Sequence, residues 1–188
     1  MKLIVGIGNP DPEYAETRHN VGWQFLEWLR KRHKGGPFEA NKKLDAETTK
    51  LDVEGIRVQM VKPLTYVNKS GLAVAKAKKW VKAKNEDIVV IQDDLDVPFG
   101  TCKLSFEKNS GGHRGIESIM SSLKSKKFWR VRIGLGVRAL SSARDQSDSK
   151  RDAFVKDFVL KKFTPSQKED LKQVFKDCEL RLVNALKQ

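Results

Sequence analysis

Short apolar runs that alternate with amphipathic helical segments constrain the fold more than any other feature of the sequence. Lys2–Gly8 is apolar and β-branched and ends at an Asn-Pro pair, and Ile88–Ile91 is wholly apolar. Runs this short and this apolar are typical of strands that are covered on both faces. Apolar residues recur at helical spacing in segments that begin near Val21 and Gly71. The alternation predicts an α/β fold with a twisted mixed β-sheet surrounded by helices.

Further elements of both kinds occupy most of the remaining chain. Thr164-Pro-Ser-Gln167 has the pattern of a capping box with proline at the first helical position, and it opens a final amphipathic helix. The polar residues 141–152 predict a mobile surface loop, with a linker as the alternative. The other predicted strands are Ile56–Val61, Thr101–Phe106 and Trp129–Val137, and the other helices bury Val21, Phe25, Trp28 and Leu29, then Ala73, Ala77, Trp80 and Val81, then Ile116, Ile119, Met120 and Leu123.

The size and composition of the chain exclude several classes of protein. A length of 188 residues suits one domain with one core, so we interpret residues 1–188 as a single domain. The hydrophobic fraction of 39% is too high for a disordered chain, and no apolar run approaches the ~18 residues of a membrane span. The only two cysteines, Cys102 and Cys178, lie outside any CxxC motif. This excludes a disulfide scaffold and a cysteine-based zinc module, and it favours the cytoplasm.

The charge of the chain indicates its class of partner. Lys and Arg number 37 against 24 Asp and Glu, a formal net charge of +13 that attracts polyanions. One basic run alone is typical of a solvated helix face, but three runs favour nucleic acid. An anionic membrane is disfavoured because no basic stretch also carries a broad aromatic apolar face. The three runs are Arg30–Lys34, then Lys76, Lys78, Lys79, Lys82 and Lys84, then Lys124, Lys126, Lys127, Arg130 and Arg132.

Two histidines are candidates for acid–base chemistry. His19 and His113 each lie in a loop just before a helix, and the carboxylates Asp93, Asp94 and Asp96 follow a predicted buried strand. Ligands usually bind at the carboxyl ends of strands in an α/β sheet. A carboxylate there could accept Nδ1–H from His19 and leave Nε2 free to take a proton from water. The alternative is structural, since loop histidines also cap helices and pack.

Two asparagines and the aspartate cluster add further candidates. Asn9 follows the first strand and Asn68 precedes a helix, where their amides could stabilise an oxyanion or could simply form turns and caps. The three aspartates could hold Mg²⁺ for phosphodiester cleavage, so a metal-dependent nuclease remains an alternative. The chain lacks the GxGxxG, P-loop, HExxH and GxSxG motifs, and Asp94-Leu-Asp-Val-Pro98 fails as a calcium loop.

Six segments, taken together, closely resemble the signature blocks of the bacterial-type peptidyl-tRNA hydrolases. They come in the family's order at similar spacing and cover nearly the whole chain apart from 141–152 and the final helix, which is far more specific than any single motif. The segments are Val5–Gly22, Lys62–Gly71, Gln92–Gly100, Gly111–Ile119, Phe128–Gly136 and the weaker Phe158–Phe163.

The resemblance implies an enzyme that cleaves the ester between a peptide and the 3′ terminal ribose of tRNA. It implies no cofactor and no metal, peptidyl-tRNA as partner, and a monomer in the cytoplasm. His19 would be the catalytic base, Asp93 would orient it, and Asn9 would help bind and polarise the ester. Asn68 would hold the peptide main chain or the water. Substrate binding would also involve Tyr66, His113 and Arg114, and tRNA phosphates would contact Lys103, Arg132 and Lys108.

Three positions depart from the family pattern. Arg114 stands where the family has asparagine in Gly-Gly-His-Asn-Gly, which would alter the substrate cleft or add a phosphate contact. Ser105 replaces a second lysine of the phosphate-binding stretch, for which Lys108 could compensate, and Val67 replaces a methionine. Because His19, Asp93, Asn9 and Asn68 are all present, the sequence favours an active enzyme. A non-catalytic RNA-binding protein on the same fold is the alternative.

Overall fold

The computed structural model describes residues 1–137 and 147–188, which are built on one mixed β-sheet. The prediction of an α/β fold with helices around such a sheet is confirmed. The strands are β1 (Lys2–Gly6), β2 (Glu39–Asn41), β3 (Ala46–Val53), β4 (Ile56–Pro63), β5 (Ile88–Pro98), β6 (Cys102–Phe106) and β7 (Trp129–Gly136). The helices are α1 (Val21–Arg32), α2 (Ser70–Val81), α3 (Arg114–Leu123), α4 (Asp148–Val159) and α5 (Pro165–Leu186).

The strand order places β1 at the centre of the sheet. The order is β2-β3-β4-β1-β5-β7-β6, with β1 parallel to both β4 and β5 and β5 parallel to β7. The pairs β2–β3, β3–β4 and β6–β7 are antiparallel. The chain therefore departs from β1 to opposite sides, and the carboxyl ends of β1, β4 and β5 meet at one edge. Such a switch point leaves a crevice outside the strand ends.

Helices cover both faces of the sheet, which explains why the central strands are apolar throughout. Helices α1, α4 and α5 pack on one face, where Phe25 and Cys178 are fully buried. Helices α2 and α3 pack on the other face, where Val74 and Ile116 are fully buried. Among the described residues, no helix is both long and apolar enough to cross a bilayer.

The start of α5 confirms the capping box that the sequence predicts. Thr164 Oγ1 accepts from the Gln167 N–H at 3.2 Å, Gln167 Oε1 accepts from the Thr164 N–H at 3.1 Å, and Pro165 is the first helical residue. Both cysteines, Cys102 and Cys178, are buried free thiols.

Several element predictions need correction at the sheet edge and at the polar segments. Strands β2 and β3 were not predicted, because β2 is a short, largely exposed edge strand and β3 alternates buried residues with polar ones, so neither carries an apolar run. Strand β1 ends at Gly6, and β5 continues to Pro98, so the three aspartates lie within β5 and not after it. The loop predicted at 141–152 falls partly outside the described residues, and residues 148–152 begin α4.

Trp80 is exposed, although the helical pattern predicts that it is buried. The buried stripe of α2 passes through Ala73, Val74 and Ala77. Successive helical residues turn by about 100°, so Trp80 lies about 120° from Val74, at the edge of this stripe. Its exposed fraction is 48%. An indole exposed to this extent is unusual.

The close approach of α2 to α3 depends on Gly71. A Cβ at this position would stand 2.1 Å from the Ser118 carbonyl oxygen, and the Gly71 N–H donates to Ser118 Oγ at 3.0 Å. Gly71→Ala would raise helix propensity by up to ~1 kcal/mol, but the contact with backbone cannot relax without moving a helix. We expect a net loss of about 1–3 kcal/mol in the free energy of unfolding, measured by urea denaturation. Gly36→Ala is the control, because a Cβ there meets no atom within 4 Å; equal stability of the two variants would contradict this packing.

Candidate active site

The candidate site lies at the carboxyl edge of the sheet, where the segment after β1 meets β5. His19 lies in a short 3₁₀ turn, Arg18–Asn20, which leads directly into α1. Asp93 lies within β5, and His113 is the N-cap residue of α3. Residues far apart in the sequence therefore meet at the predicted edge.

Asp93 is a buried carboxylate held between two histidines. Its Oδ2 lies 2.9 Å from His19 Nδ1, and its Oδ1 lies 2.9 Å from His113 Nε2. The residue is only 3% exposed. Burial alone would raise the pKa of Asp93, but the interactions with His19 and His113 outweigh it and hold the pKa well below its ordinary value. Asp93 is therefore ionised at neutral pH and accepts hydrogen bonds from both rings.

The tautomer of His113 is determined by the backbone of α3. Its Nδ1 faces the N–H groups of Gly115 at 3.1 Å and Ile116 at 3.4 Å. Backbone N–H groups can only donate, so this nitrogen is an unprotonated acceptor. His113 is therefore neutral, carries its proton on Nε2, and donates it to Asp93.

His19 is left with one ring nitrogen for chemistry. Because Asp93 is ionised, His19 Nδ1–H donates to it, and the neutral ring then carries its lone pair on Nε2. Burial lowers the pKa of His19, but the charge of Asp93 and its hydrogen bond raise it more, so the pKa lies above the ordinary 6.5. The His19 side chain keeps 18% of its exposure. These are the properties of a general base that solvent can reach.

Asn20 holds the segment after β1 through Asn9 and was missed by sequence reasoning. Its Oδ1 accepts from the Asn9 N–H at 2.9 Å, and its Nδ2 donates to the Asn9 carbonyl at 2.9 Å. Asn20 is fully buried and makes no side-chain cap to α1. Its position before a helix is typical of an ordinary N-cap, so the sequence carried no signal that indicated its two hydrogen bonds to Asn9.

Two side-chain amides, those of Asn9 and Asn68, have free N–H donors. Asn9 Oδ1 accepts from the Val67 N–H at 3.1 Å, which leaves the Nδ2 donors of Asn9 without an acceptor in the described part of the chain. Asn68 is exposed in the turn Val67–Lys69, and its amide has no hydrogen bond among the same residues. Donors held in place before a reaction stabilise developing negative charge most effectively, and of the two amides only Asn9 is held by a hydrogen bond among the described residues.

Arg18 anchors the turn that carries His19. Its guanidinium donates to the Phe158 carbonyl at 3.1 Å and to Gln167 Oε1 at 3.2 Å, and it lies 4.4 Å from the centre of the Phe158 ring. The Arg18 N–H also donates to the Lys161 carbonyl at 3.0 Å. The same Gln167 closes the capping box of α5, so α4 and α5 together hold His19 in place.

Of the other residues predicted to bind substrate, the structure brings His113 to Asp93, whereas Tyr66 and Arg114 are exposed. Tyr66 is exposed and donates to Asp11 Oδ2 at 2.6 Å. Arg114 is the first residue of α3 and is exposed, directly after His113. His113 itself, predicted to bind substrate, has both ring nitrogens engaged by Asp93 and by α3.

The predicted tRNA-binding residues differ in how available they are. Lys103 and Lys108 are exposed, and Lys103 on β6 lies opposite Arg132 on β7. Arg132 is only 8% exposed, and its Nε donates to Asp94 Oδ2 at 2.7 Å. Its NH1 lies 3.4 Å from Ser105 Oγ, at the position where the family pattern has lysine. Much of its charge is therefore balanced within the protein.

One group of side chains is close enough together to hold a metal ion, but these side chains are already hydrogen-bonded to one another. In the described residues, His19, Asp93 and His113 are the one group of at least three ligand atoms close enough to hold a metal. His113 Nε2 carries a proton, because Nδ1 accepts from α3, and a protonated nitrogen has no lone pair to give. The aspartates proposed for Mg²⁺ also turn to different partners, since Asp93 binds histidines and Asp94 binds Arg132.

The fold and this centre define an α/β protein with a histidine–carboxylate acid–base site. The family model described as peptidyl-tRNA hydrolase matches residues 3–188. The curated peptidyl-tRNA hydrolase of Aquifex aeolicus is 37% identical over 187 residues, covering 99% of this chain and 90% of that protein. That of Chloroflexus aggregans is 40% identical over 175 residues, covering 93% and 86%.

Solved structures agree with the sequence relatives. A crystal structure of peptidyl-tRNA hydrolase from Acinetobacter baumannii superposes with a TM-score of 0.85 at 28% identity, covering all of this chain and 89% of that one. The chain belongs to the peptidyl-tRNA hydrolase family, which confirms the resemblance of its six segments.

Proposed function

We propose that this protein hydrolyses the ester that joins a peptide to the 3′ terminal ribose of tRNA and so recycles tRNA from interrupted translation. The observation that carries the proposal is the hydrogen-bonded series from α3 through His113 and Asp93 to His19. Each partner in this series has one possible proton arrangement, and the last lone pair is His19 Nε2. Membership of the family supplies the substrate class.

The reaction follows from the groups in place. His19 Nε2 takes a proton from water as the water oxygen attacks the ester carbonyl, and Asp93 stabilises the imidazolium that forms. The Asn9 Nδ2 donors polarise the carbonyl and stabilise the oxyanion, while Asn68 holds the peptide main chain or the water. The tetrahedral intermediate then expels the ribose oxygen, which takes the proton back from His19. His113 acts on Asp93 and is a positioning residue.

The basic residues near the centre would hold the tRNA. Exposed Lys103, Lys108 and Arg114 are free to meet phosphates of the acceptor end, a contact that positions RNA without reading its sequence. Arg132 would need to share its guanidinium between Asp94 and a phosphate. We place Tyr66 at the mouth of the cleft, where its ring would contact substrate.

We propose a carboxylic ester hydrolase that needs neither metal nor cofactor, since the protonated His113 Nε2 removes one ligand from the candidate metal group. A monomeric single domain in the cytoplasm accords with a single sheet that organises the described residues and with two free, buried cysteines.

Ester release by the purified protein tests the proposal. The substrate is a labelled peptidyl-tRNA, assayed after dialysis against EDTA and across pH 5–9. Because the active form of His19 is neutral and its pKa is raised, we expect kcat/KM to rise with pH through a value above 6.5 and then to level off. Activity that EDTA removes and Mg²⁺ restores would contradict the metal-independent mechanism. Binding of tRNA with the ester intact would instead support the non-catalytic alternative.

A further inference from the structure

One arginine of the third basic run, Arg130, does not reach the surface. Its exposed fraction is 2%, and it is among the largest fully buried side chains of the described residues. Val131 and Ile133 pack with α1, α4 and α5, so the alternation of side chains along β7 directs Arg130 to the face that α2 and α3 cover. A solvated basic surface therefore does not account for this residue.

The Arg130 guanidinium carries a charge that the protein does not balance directly. Burial and the nearby Arg132 lower the pKa of Arg130 to about 10, so the side chain stays protonated at neutral pH. Within residues 1–137 and 147–188, no carboxylate forms an ion pair with it and its Nη1 has no hydrogen-bond partner, whereas Arg132 pairs with Asp94. A buried charge without a counter-ion is costly, and an apolar side chain of similar size would avoid that cost. Packing alone therefore does not explain an arginine here.

Arg130 donates a hydrogen bond to the connection between β6 and α3. Its Nη2 lies 2.9 Å from the Asn109 carbonyl oxygen, and this bond ties the middle of the connection to the sheet. The start of the connection is also attached, because Phe106 at the end of β6 packs on Trp129 with ring centres 4.8 Å apart. Lys108 lies between these two attachments and is exposed.

The part of the connection that leads to His113 is attached separately. Gly111 and Gly112 precede it with φ values of 65° and 81°, which glycine adopts without strain. His113 is itself held by β5 and by the backbone of α3. The hydrogen bond from Arg130 therefore constrains Lys108 more directly than it constrains the candidate active site.

We propose that Arg130 is a positioning residue that holds Lys108 where it meets a tRNA phosphate, through its hydrogen bond to the Asn109 carbonyl. The proposal rests on the proposed function, which supplies tRNA as the ligand. Binding costs less when the group that makes the contact is already ordered, because less conformational entropy is lost. Arg130 is buried and does not touch RNA itself, so its loss should weaken tRNA binding and leave the chemical step unchanged.

Affinity for a deacylated tRNA, measured by filter binding, tests the proposal. Arg130→Met keeps a long side chain but removes the donor to Asn109, and we expect the dissociation constant to rise about 3- to 10-fold. KM for peptidyl-tRNA should rise by a similar factor, with kcat within about twofold of the wild type. Arg130→Lys keeps a donor on a chain of nearly the same length and should restore most of the affinity.

Combination with Lys108→Ala shows whether Arg130 acts through this lysine. Lys108→Ala alone should flatten the fall of log affinity with log salt by about 0.7–0.9, which corresponds to one phosphate contact. In this background Arg130→Met should change the affinity by less than about 1.5-fold, because the two residues belong to one interaction. An equal effect of Arg130→Met with and without Lys108 would overturn the proposal, because long-range charge or a loosened fold would then explain it.

Lys62→Met is the matched control for loss of a buried positive charge. Lys62 is 5% exposed on β4, which β1 and β5 separate from β7, and its partner Glu27 keeps a hydrogen bond from Arg30. This variant should bind tRNA within about twofold of the wild type, and a loss equal to that of Arg130→Met would contradict the positioning role. If the melting temperature shows that Arg130→Met folds poorly, the shorter Arg130→Gln replaces it with the same outcomes.

The binding result is separate from the test of the proposed function, because deacylated tRNA carries no ester. Coupling between Arg130 and Lys108 in tRNA binding, without release of peptide by the wild type, would contradict the proposed function alone. Wild-type protein that does not bind tRNA would overturn the proposal for Arg130.

Discussion

Replacement of His19 by alanine is expected to lower the rate of ester release by about 10³-fold, within the 10²–10⁴ that one positioned base contributes. The variant loses the Nε2 lone pair of His19. This is the lone pair that the hydrogen bonds from α3 through His113 and Asp93 leave available. It keeps the exposed basic residues, so binding of tRNA should stay within about twofold of the wild type, as phosphate contacts supply the affinity. Single-turnover release of peptide and a separate filter-binding assay measure the two effects.

His33→Ala is the matched control for His19→Ala. His33 also has a carboxylate partner, since its Nε2 lies 2.5 Å from Glu179 Oε1, but this pair joins α1 to α5 away from the active site. It should therefore release peptide at nearly the wild-type rate. Turnover by His19→Ala close to that of His33→Ala would remove His19 from the mechanism.

Replacement of Asp93 by asparagine should lower the rate of ester release at least as much, because it changes the position of one proton. Asparagine is nearly the same shape, but it presents one acceptor and one donor group where aspartate accepts from two rings. His113 must donate from Nε2, because its Nδ1 accepts from Gly115 and Ile116. The amide oxygen of residue 93 must therefore face His113, and its NH₂ group must face His19 Nδ1.

The consequence is that His19 holds the wrong tautomer in the Asp93→Asn variant. His19 Nδ1 becomes an acceptor, the proton moves to Nε2, and the base is lost while every hydrogen bond is kept. We expect ester release to fall about 10³–10⁴-fold with little change in the melting temperature. Nitrogen-15 chemical shifts of the imidazole give a second measurement, which should show protonation moving from Nδ1 to Nε2.

Asp157→Asn is the control for loss of a carboxylate. Asp157 is exposed on α4 and forms an ion pair with Lys161, so it differs from Asp93, which is a buried carboxylate. Its replacement should leave both the rate and the His19 shifts unchanged. A protonated His19 Nδ1 in the Asp93→Asn variant, or wild-type turnover, would show that α3 does not determine the proton arrangement.

Features that depend on local sequence were predicted well. The apolar runs of β1 and β5, the periodicity of α1 and the capping box of α5 each involve residues within a few positions of one another. Strands β2 and β3 were missed, because the edge strand β2 is short and polar and β3 alternates buried and polar residues, so neither carries an apolar run. Trp80 was placed wrongly, because helical spacing shows which residues share a face but not where the core ends.

The sequence by itself determined the α/β class and the family and predicted the residue types at the candidate active site, because apolar strands, helical spacing and the six ordered segments are recorded in the order of the residues. Only the tertiary structure decided what each polar side chain binds. His19 meets Asp93 across 74 positions, and Asn9 meets Val67 across 58. From the local sequence, Asn20 could have been a helix cap, His113 a substrate ligand and Arg132 a free cation. A polar group takes the partner that folding brings within hydrogen-bond distance, and that choice has no local signature.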